Sequence, residues 1–165
     1  MLLAGAPDAD ELVERLGEAG CTDALVGMGQ PGRLALDFTR EAHSAQQAIL
    51  SALDEARRAM PAAKFIEVTP DFVGLSDVAE LVGVTRQNMR KLMLAHKDSF
   101  PEAVHEGSVA LWHLSPVLKW LRERVDYRID PALLEVAHIA MQINLAKEAR
   151  QIETRVQREV AARVA

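Results

Sequence analysis

The sequence predicts a mixed α+β protein of 165 residues. Short apolar runs bounded by Gly and Pro predict strands in the first 70 residues, while apolar residues with a helical period predict helices in every part of the chain. Hydrophobic residues make up 49% of the chain, enough for a packed core. No apolar run approaches the ~20 residues that span a bilayer. We therefore expect a cytoplasmic protein with no membrane partner.

The first residues, MLLAGA, predict a short strand. Asp8 or Asp10 can cap the helix that follows. Its predicted apolar stripe consists of Leu12, Val13, Leu16 and Ala19. Gly20 ends this helix, because glycine accepts the left-handed conformation found after a last turn.

The runs DALVGM and RLALDF predict two strands of a hairpin, joined by a turn at GQPG. Residues 27–32 also match G-x-G-x-x-G, the dinucleotide-binding fingerprint. That fingerprint needs a helix to follow, so that its N-terminal amides can bind a pyrophosphate. A strand follows here and Pro31 lacks an amide hydrogen, which favours a plain turn.

Apolar residues at helical spacing predict a second helix over residues 42–60, ended by Pro61, and KFIEV then predicts a further strand over 64–68. The predicted order β-α-β-β-α-β is the ferredoxin-like arrangement. We assign residues 1–69 to this module and expect it to act as a sensor or oligomerisation surface that binds a small ligand or a protein partner.

Residues 75–92, LSDVAELVGVTRQNMRKL, predict two helices joined by a tight turn. Ser76 can cap the first helix, and Gly83 supplies the positive φ of the turn. Thr85 caps the second helix. The side chains predicted to face inward are Val78, Ala79, Val82, Val84, Met89 and Leu92. Two helices that cross through a short turn require this spacing.

The outer face of the second predicted helix carries cationic, amide and hydroxyl side chains. Residues 85–97 contain four Lys or Arg and no carboxylate, although the formal charge of the chain is −5. A solvated helix face usually includes Glu or Asp. We therefore predict a DNA-contacting helix, with an ordinary solvated face as the alternative. The predicted DNA-binding residues on this segment are Thr85, Arg86, Gln87, Asn88, Arg90, Lys91 and Lys97.

The runs EAVH and VALWH predict a small wing hairpin across residues 106–108, and Ser115-Pro116 begins a helix that buries Val117, Trp120 and Leu121. Trp112 and Trp120 are predicted to anchor the wing and this helix rather than to stack on bases. Residues 69–74, TPDFVG, are predicted to be a linker. The central domain spans 70–128.

The run L-x-x-V-A-x-L-x-G-V-T-R-Q-x-x-x-K-L, followed by F-P, a glycine-centred wing and V-x-x-W-L, resembles the AlpA and excisionase-like branch of the MerR-related winged helix-turn-helix proteins. The resemblance covers about residues 74–124. It implies binding of double-stranded DNA, with the second helix in the major groove and the wing near the adjacent backbone or minor groove. By position it adds His105 and Ser108 of the wing to the DNA-binding residues.

From Pro131 onward, apolar residues predict one long helix with a continuous stripe. Its members are Leu134, Ala137, Met141, Leu145, Ile152, Val156 and Val160. Such a stripe favours a partner helix, so we predict a homodimer formed through residues 129–165. The alternative is a helix that packs along its own domain.

Nothing in the sequence predicts catalysis or a cofactor. Cys21 is predicted to be a buried structural thiol, and the five histidines lack metal-ligand spacing. We expect a sequence-specific transcriptional regulator that is not an enzyme. The alternatives are an excisionase-like architectural factor, the DNA-binding antitoxin of a toxin-antitoxin pair, and a protein-interaction module.

Overall fold

The computed structural model describes residues 1, 8–161 and 163 of the chain. They form a mixed α+β structure with seven helices and two small antiparallel sheets. The chain divides into two compact units, Met1–Glu67 and Val68–Ala165. None of the helices in the described part of the chain is long and apolar enough to cross a membrane.

The first unit contains two helices and one hairpin. In chain order the elements are α1 (Ala9–Glu18), β1 (Ala24–Gln30), β2 (Arg33–Phe38) and α2 (Ala45–Ala59). The side chains of Asp8 and Ser44 cap the two helices, as each accepts a hydrogen bond from a first-turn amide. β1 and β2 pair antiparallel, with Ala24 opposite Phe38, and Gly32 takes a φ of 73° in the turn. The G-x-G-x-x-G match is therefore a hairpin turn, as predicted.

The core of the first unit is formed by apolar side chains from its four elements and from residues next to them in the chain. Its buried members are Leu12, Leu16, Cys21, Leu34, Ala56, Ala59 and Met60. Cys21 is buried as predicted, and burial raises the pKa of its thiol, which favours the neutral form. The prediction for Val13 is wrong, because it lies about 100° around the helix from Leu12 and is 53% exposed.

Of the two outer strands in the predicted ferredoxin-like order, only the last falls on described residues, and it is not seen as a strand. The first, over residues 1–6, falls almost wholly outside the described residues. In the segment predicted as the last, residues 64–68, all of which are described, only Lys64 lies in a β-bridge. The N–H of Val68 donates to Asn144 Oδ1 (2.9 Å) and its carbonyl accepts from Asn144 Nδ2 (2.8 Å). A side chain therefore takes both backbone groups that a strand would have paired at this residue.

The second unit contains five helices and one two-stranded sheet. In chain order the elements are β3 (Phe72–Val73), α3 (Leu75–Leu81), α4 (Arg86–Ala95), β4 (Trp112–His113), α5 (Leu114–Val125), α6 (Pro131–Ala149) and α7 (Thr154–Ala161). Helix α5 forms the centre of the core, since Leu114, Val117, Leu118 and Leu121 have no exposed surface. Val78, Ala79 and Met89 are buried in the same cluster, and α6 packs against α5.

The predicted linker 69–74 is part of this folded unit. Phe72 and Val73 pair antiparallel with His113 and Trp112. Asp71 is buried, with its Oδ1 2.7 Å from His113 Nδ1 and its Oδ2 accepting a 2.8 Å hydrogen bond from Asn144 Nδ2. The backbone carbonyl of Asp71 accepts from the N–H of Leu114 at 2.7 Å. The segment thus belongs to the folded unit, with Asp71 and Val73 buried, because these contacts satisfy the polar groups of Asp71 away from water.

The predicted single C-terminal helix is wrong, because the chain breaks between α6 and α7. The amides of Arg150, Gln151 and Ile152 donate to carbonyls three residues back, which tightens the last turn. Asn144 is the last buried residue; among the described residues after it, none is buried. Beyond that point no core contact supports the helix, and a short helix without packing is only marginally stable.

Asn144 supplies three of the hydrogen bonds that hold residues 68–71, so its truncation is expected to lower the free energy of unfolding of the second unit. For Asn144→Ala we expect a loss of about 3 kcal/mol, since a buried carboxyl and two backbone groups lose partners. Urea unfolding followed by tryptophan fluorescence measures it, because both tryptophans, Trp112 and Trp120, lie in this unit.

Gln142→Ala is the matched control for this prediction, as it removes an exposed amide from the same helix. We expect it to change the free energy of unfolding by less than about 0.5 kcal/mol. Equal stability of the two variants would show that the Asn144 contacts do not stabilise the unit.

Candidate nucleic-acid interface

Helices α3 and α4 are joined by a four-residue turn with well-defined hydrogen bonds. Gly83 has a φ of 72°, and its N–H donates to the Glu80 carbonyl at 3.1 Å. The N–H of Val84 donates to the Ala79 carbonyl at 2.9 Å. These two bonds satisfy carbonyls at the end of α3, as in a Schellman-type helix end. The predicted role of Gly83 is confirmed.

The start of α3 differs from the prediction. Ser76 lies inside the helix, and Gly74 occupies the capping position. The side chain of Asp77 accepts a 2.7 Å hydrogen bond from the N–H of Gly74, which is one half of a capping box. A carboxylate in the first turn thus replaces the predicted serine cap.

The start and orientation of α4 follow the prediction. Thr85 caps the helix, since its Oγ1 accepts a 3.2 Å hydrogen bond from the N–H of Asn88. Met89 has no exposed surface, and Leu92 is partly buried against the same core. Burial of Met89 fixes which side of α4 faces inward. The seven predicted residues of this segment are all exposed: Thr85, Arg86, Gln87, Asn88, Arg90, Lys91 and Lys97.

The cations of this segment are not neutralised by neighbouring carboxylates. Within the described part of the chain, no carboxylate forms an ion pair with Arg86, Arg90, Lys91 or Lys97. Their charges therefore remain available to an external anion. Two other arginines of the same unit, Arg122 and Arg155, each lie close to a glutamate. Concentrated positive charge on one element is suited to a local phosphate contact.

Residues 104–111 form a loop closed by one antiparallel bridge, between His105 and Leu111. The N–H of Leu111 donates to the His105 carbonyl at 3.0 Å, and the N–H of Val104 donates to the Leu111 carbonyl at 2.8 Å. The predicted hairpin is thus reduced to a single bridge, because the end of its second run, Trp112–His113, pairs with β3 instead.

His105 and Ser108, the predicted contacts of this loop, are both exposed. The His105 ring lies over Gly107, where a Cβ atom would come within 2.6 Å of Nε2. A side chain at position 107 would therefore displace the ring. Glycine here allows the histidine to fold over the tip of the loop.

An aromatic cluster supports the base of this loop. Trp112 and Trp120 are buried, and both rings stand edge-on to Phe100, with centroids 6.1 and 5.1 Å away. The indole N–H of Trp112 donates to the Pro101 carbonyl at 3.1 Å. The structural role predicted for the two tryptophans is confirmed, since neither ring is free to stack on a base.

The first unit contains an open cleft of about 750 Å³ next to Arg40. Arg40 donates to both carboxylate oxygens of Asp23 (2.7 Å each), to Glu55 (2.6 Å) and to Ser51 (2.8 Å). These bonds hold the pKa of Asp23 below its usual value. Most of the Arg40 guanidinium donors are therefore used within the unit. The cluster is best explained as a structural contact that joins the segment after β2, helix α2 and Asp23, the residue before β1.

A metal centre has no support in the described residues, which contain no group of three His, Cys, Asp or Glu side chains able to hold an ion. Comparison of the chain with protein-family models, curated proteins and solved structures found no match. Functional assignment therefore depends on the residues of the second unit themselves.

One exposed residue of α4 does not stand out in the sequence pattern. Leu94 is 57% exposed, among the polar side chains of the outer face. An apolar residue in a helical segment is ordinarily assigned to the core, which is why the pattern alone did not select it. Counting the helical period from the buried Met89 would have placed it outside.

Gly83 is expected to resist substitution, although no atom beyond its two chain neighbours lies within 4 Å of where its Cβ would be. For Gly83→Ala we expect a loss of about 1 kcal/mol in the free energy of unfolding, from the left-handed backbone alone. Urea unfolding followed by far-UV circular dichroism, which reports on the helices of both units, measures the loss. Gly17→Ala is the control, because position 17 is helical and equally open; there we expect no loss.

Proposed function

We propose that this protein is a sequence-specific DNA-binding transcriptional regulator. In this proposal residues 74–124 act as a winged helix-turn-helix: α4 enters the major groove, and the 104–111 loop lies near the adjacent backbone. The observation that carries the proposal is the exposed outer face of α4, which combines unpaired cations with amide side chains and lacks any carboxylate.

The side chains on this face have the chemistry needed to contact base edges. Arginine donates two parallel hydrogen bonds to guanine, and glutamine or asparagine pairs in the same way with adenine. Arg86, Arg90, Gln87 and Asn88 are thus the candidates for base contacts. Thr85, Lys91 and Lys97 are candidates for phosphate contacts, which set the position of the helix on the duplex.

The loop at 104–111 supplies weaker contacts in this proposal. His105 and Ser108 can donate to phosphate oxygens, whereas the carboxylate of Glu106 repels them. Because the formal charge of the chain is −5, broad contact with phosphates is unfavourable and non-specific binding should be weak. Affinity is therefore expected to depend on the base contacts of α4 and on a matching site.

The proposed regulator acts as a homodimer through its C-terminal helices. Leu145, Ile152, Val156 and Val160 are 39–48% exposed, and no residue of α7 is buried. Covering these apolar side chains with a second copy would stabilise a dimer. Two copies of α4 would then contact half-sites about one helical turn, or ~34 Å, apart. The first unit, with its predicted ferredoxin-like order, is proposed to sense a ligand or to extend the dimer.

Loss of either arginine on α4 is expected to weaken DNA binding. We expect Arg86→Ala and Arg90→Ala each to lower affinity for a selected site by about 10- to 100-fold, the cost of losing a bidentate base contact. Fluorescence anisotropy on a site enriched by the protein from random duplexes measures the effect. Selection also shows whether the site is symmetric.

Arg57→Ala is the matched control, since Arg57 is exposed on α2 of the first unit and has the same charge. It should leave the affinity within about twofold, as expected of a surface charge outside the interface. Unchanged affinity in both α4 variants would contradict the assignment of this helix, and failure to enrich any duplex would contradict DNA binding itself.

The dimer proposal predicts that a charge on the apolar face of α7 separates the copies. We expect Val156→Glu to convert a dimer into a monomer in sedimentation velocity, because an unpaired carboxylate would be buried in the interface. Gln157→Glu adds the same charge at the neighbouring exposed position and should remain dimeric. A wild-type protein that sediments as a monomer at all concentrations would contradict the proposal.

A further inference from the structure

Leu94 is an exposed apolar side chain in the last turn of α4, between Lys91 and Lys97 of the proposed DNA-contacting surface. Its neighbours in sequence, Leu92 and Met93, pack partly against the core, but Leu94 belongs to neither described core cluster and is 57% exposed. Single exposed apolar residues are ordinary on protein surfaces. The position of this one relative to the polar side chains of α4 is what requires an explanation.

The helical period places Leu94 in line with Gln87 and Lys91. An α-helix advances about 100° per residue, so these three residues lie roughly 160°, 200° and 140° around the axis from Met89. Met89 has no exposed surface and marks the inward direction. Gln87, Lys91 and Leu94 therefore form the outermost stripe of the helix, with Arg90 beside it. A groove that accepted this helix would meet this stripe first.

We infer that Leu94 contacts the methyl group of a thymine in the major groove. The inference rests on the proposed function and specifies part of its sequence preference. The thymine C5-methyl is the apolar group that the major groove presents, and an apolar side chain is its usual partner. Leucine at this place would distinguish a thymine from the other bases by burial of that methyl, without a hydrogen bond.

The geometry of the helix also fixes where the thymine should lie. Gln87 and Leu94 are seven residues apart, which is about 10 Å along an α-helix. Base pairs in B-form DNA are about 3.4 Å apart along the axis. For a helix lying along the groove, the thymine is therefore expected up to about three base pairs from the base that Gln87 contacts.

The test replaces each thymine of the selected site, one at a time, with deoxyuridine, which removes the C5-methyl and preserves base pairing. We expect one replacement to lower wild-type affinity about fourfold, the effect of losing one buried methyl. Leu94→Ala should bind the thymine site correspondingly more weakly and show no further loss on that deoxyuridine site. Anisotropy titrations with the full-length chain measure both.

Two further variants make the result specific to the Leu94 side chain. Leu94→Met keeps an apolar chain of similar size and should retain the preference for thymine. Leu81→Ala truncates another exposed leucine, 43% exposed on α3, and should also retain it. Circular dichroism of each variant establishes that it is folded.

The possible outcomes separate this inference from the proposed function. If the wild-type protein binds a selected site but is indifferent to every deoxyuridine, or if Leu94→Ala keeps the thymine preference, the contact by Leu94 is overturned and DNA binding stands. If no duplex is enriched, both are overturned together. A preference for thymine that disappears only in Leu94→Ala supports the inference.

Discussion

The second unit depends on the buried carboxyl group of Asp71. One of its oxygens lies 2.7 Å from His113 Nδ1 and the other accepts a 2.8 Å hydrogen bond from Asn144 Nδ2. A buried polar group is costly unless it is hydrogen-bonded, so bringing these three distant residues together stabilises the folded unit. The contact joins the segment before α3, the strand before α5, and α6. The segments that precede α3 and α5 are thereby both connected to α6 through the Asp71 carboxyl group.

The same tie explains how the outer face of α4 is held in place. Asp71 and the β3–β4 pair fix the beginnings of α3 and α5, whose apolar faces form the core that buries Met89. Because Met89 is buried in this core, the cationic and amide side chains of α4 face outward. Phe100 and Trp112, which flank the 104–111 loop in the chain, are buried in the same core. A rigid support of this kind keeps a contacting surface in one geometry, which selective binding requires.

Much of the helix-turn-helix segment could be predicted because its determinants are local. Gly83, Thr85 and Met89 act within a few residues of themselves, through backbone conformation, capping and helical period. The hairpin of β1 and β2 followed in the same way from Pro31 and Gly32. Predictions were wrong where a local pattern was compatible with two outcomes. Val13 is apolar, as a core residue would be, but its position around the helix axis turns it away from the core. Residues 64–68 have the composition of a strand, but the backbone N–H and carbonyl of Val68 are hydrogen-bonded to Asn144.

The sequence by itself determined the presence of helices α1 to α5, the tight turn at Gly83 and the composition of the outer face of α4, since short-range periodicity and steric preference decide these features. Only the tertiary structure decided that Asp71 and Val73 of the predicted linker are buried, that the predicted wing keeps a single bridge, and that the last helix breaks after Ala149. The physical reason is that these features depend on partners far away in sequence. Asp71 meets residues 42 and 73 positions further on, and no local pattern encodes such a pairing.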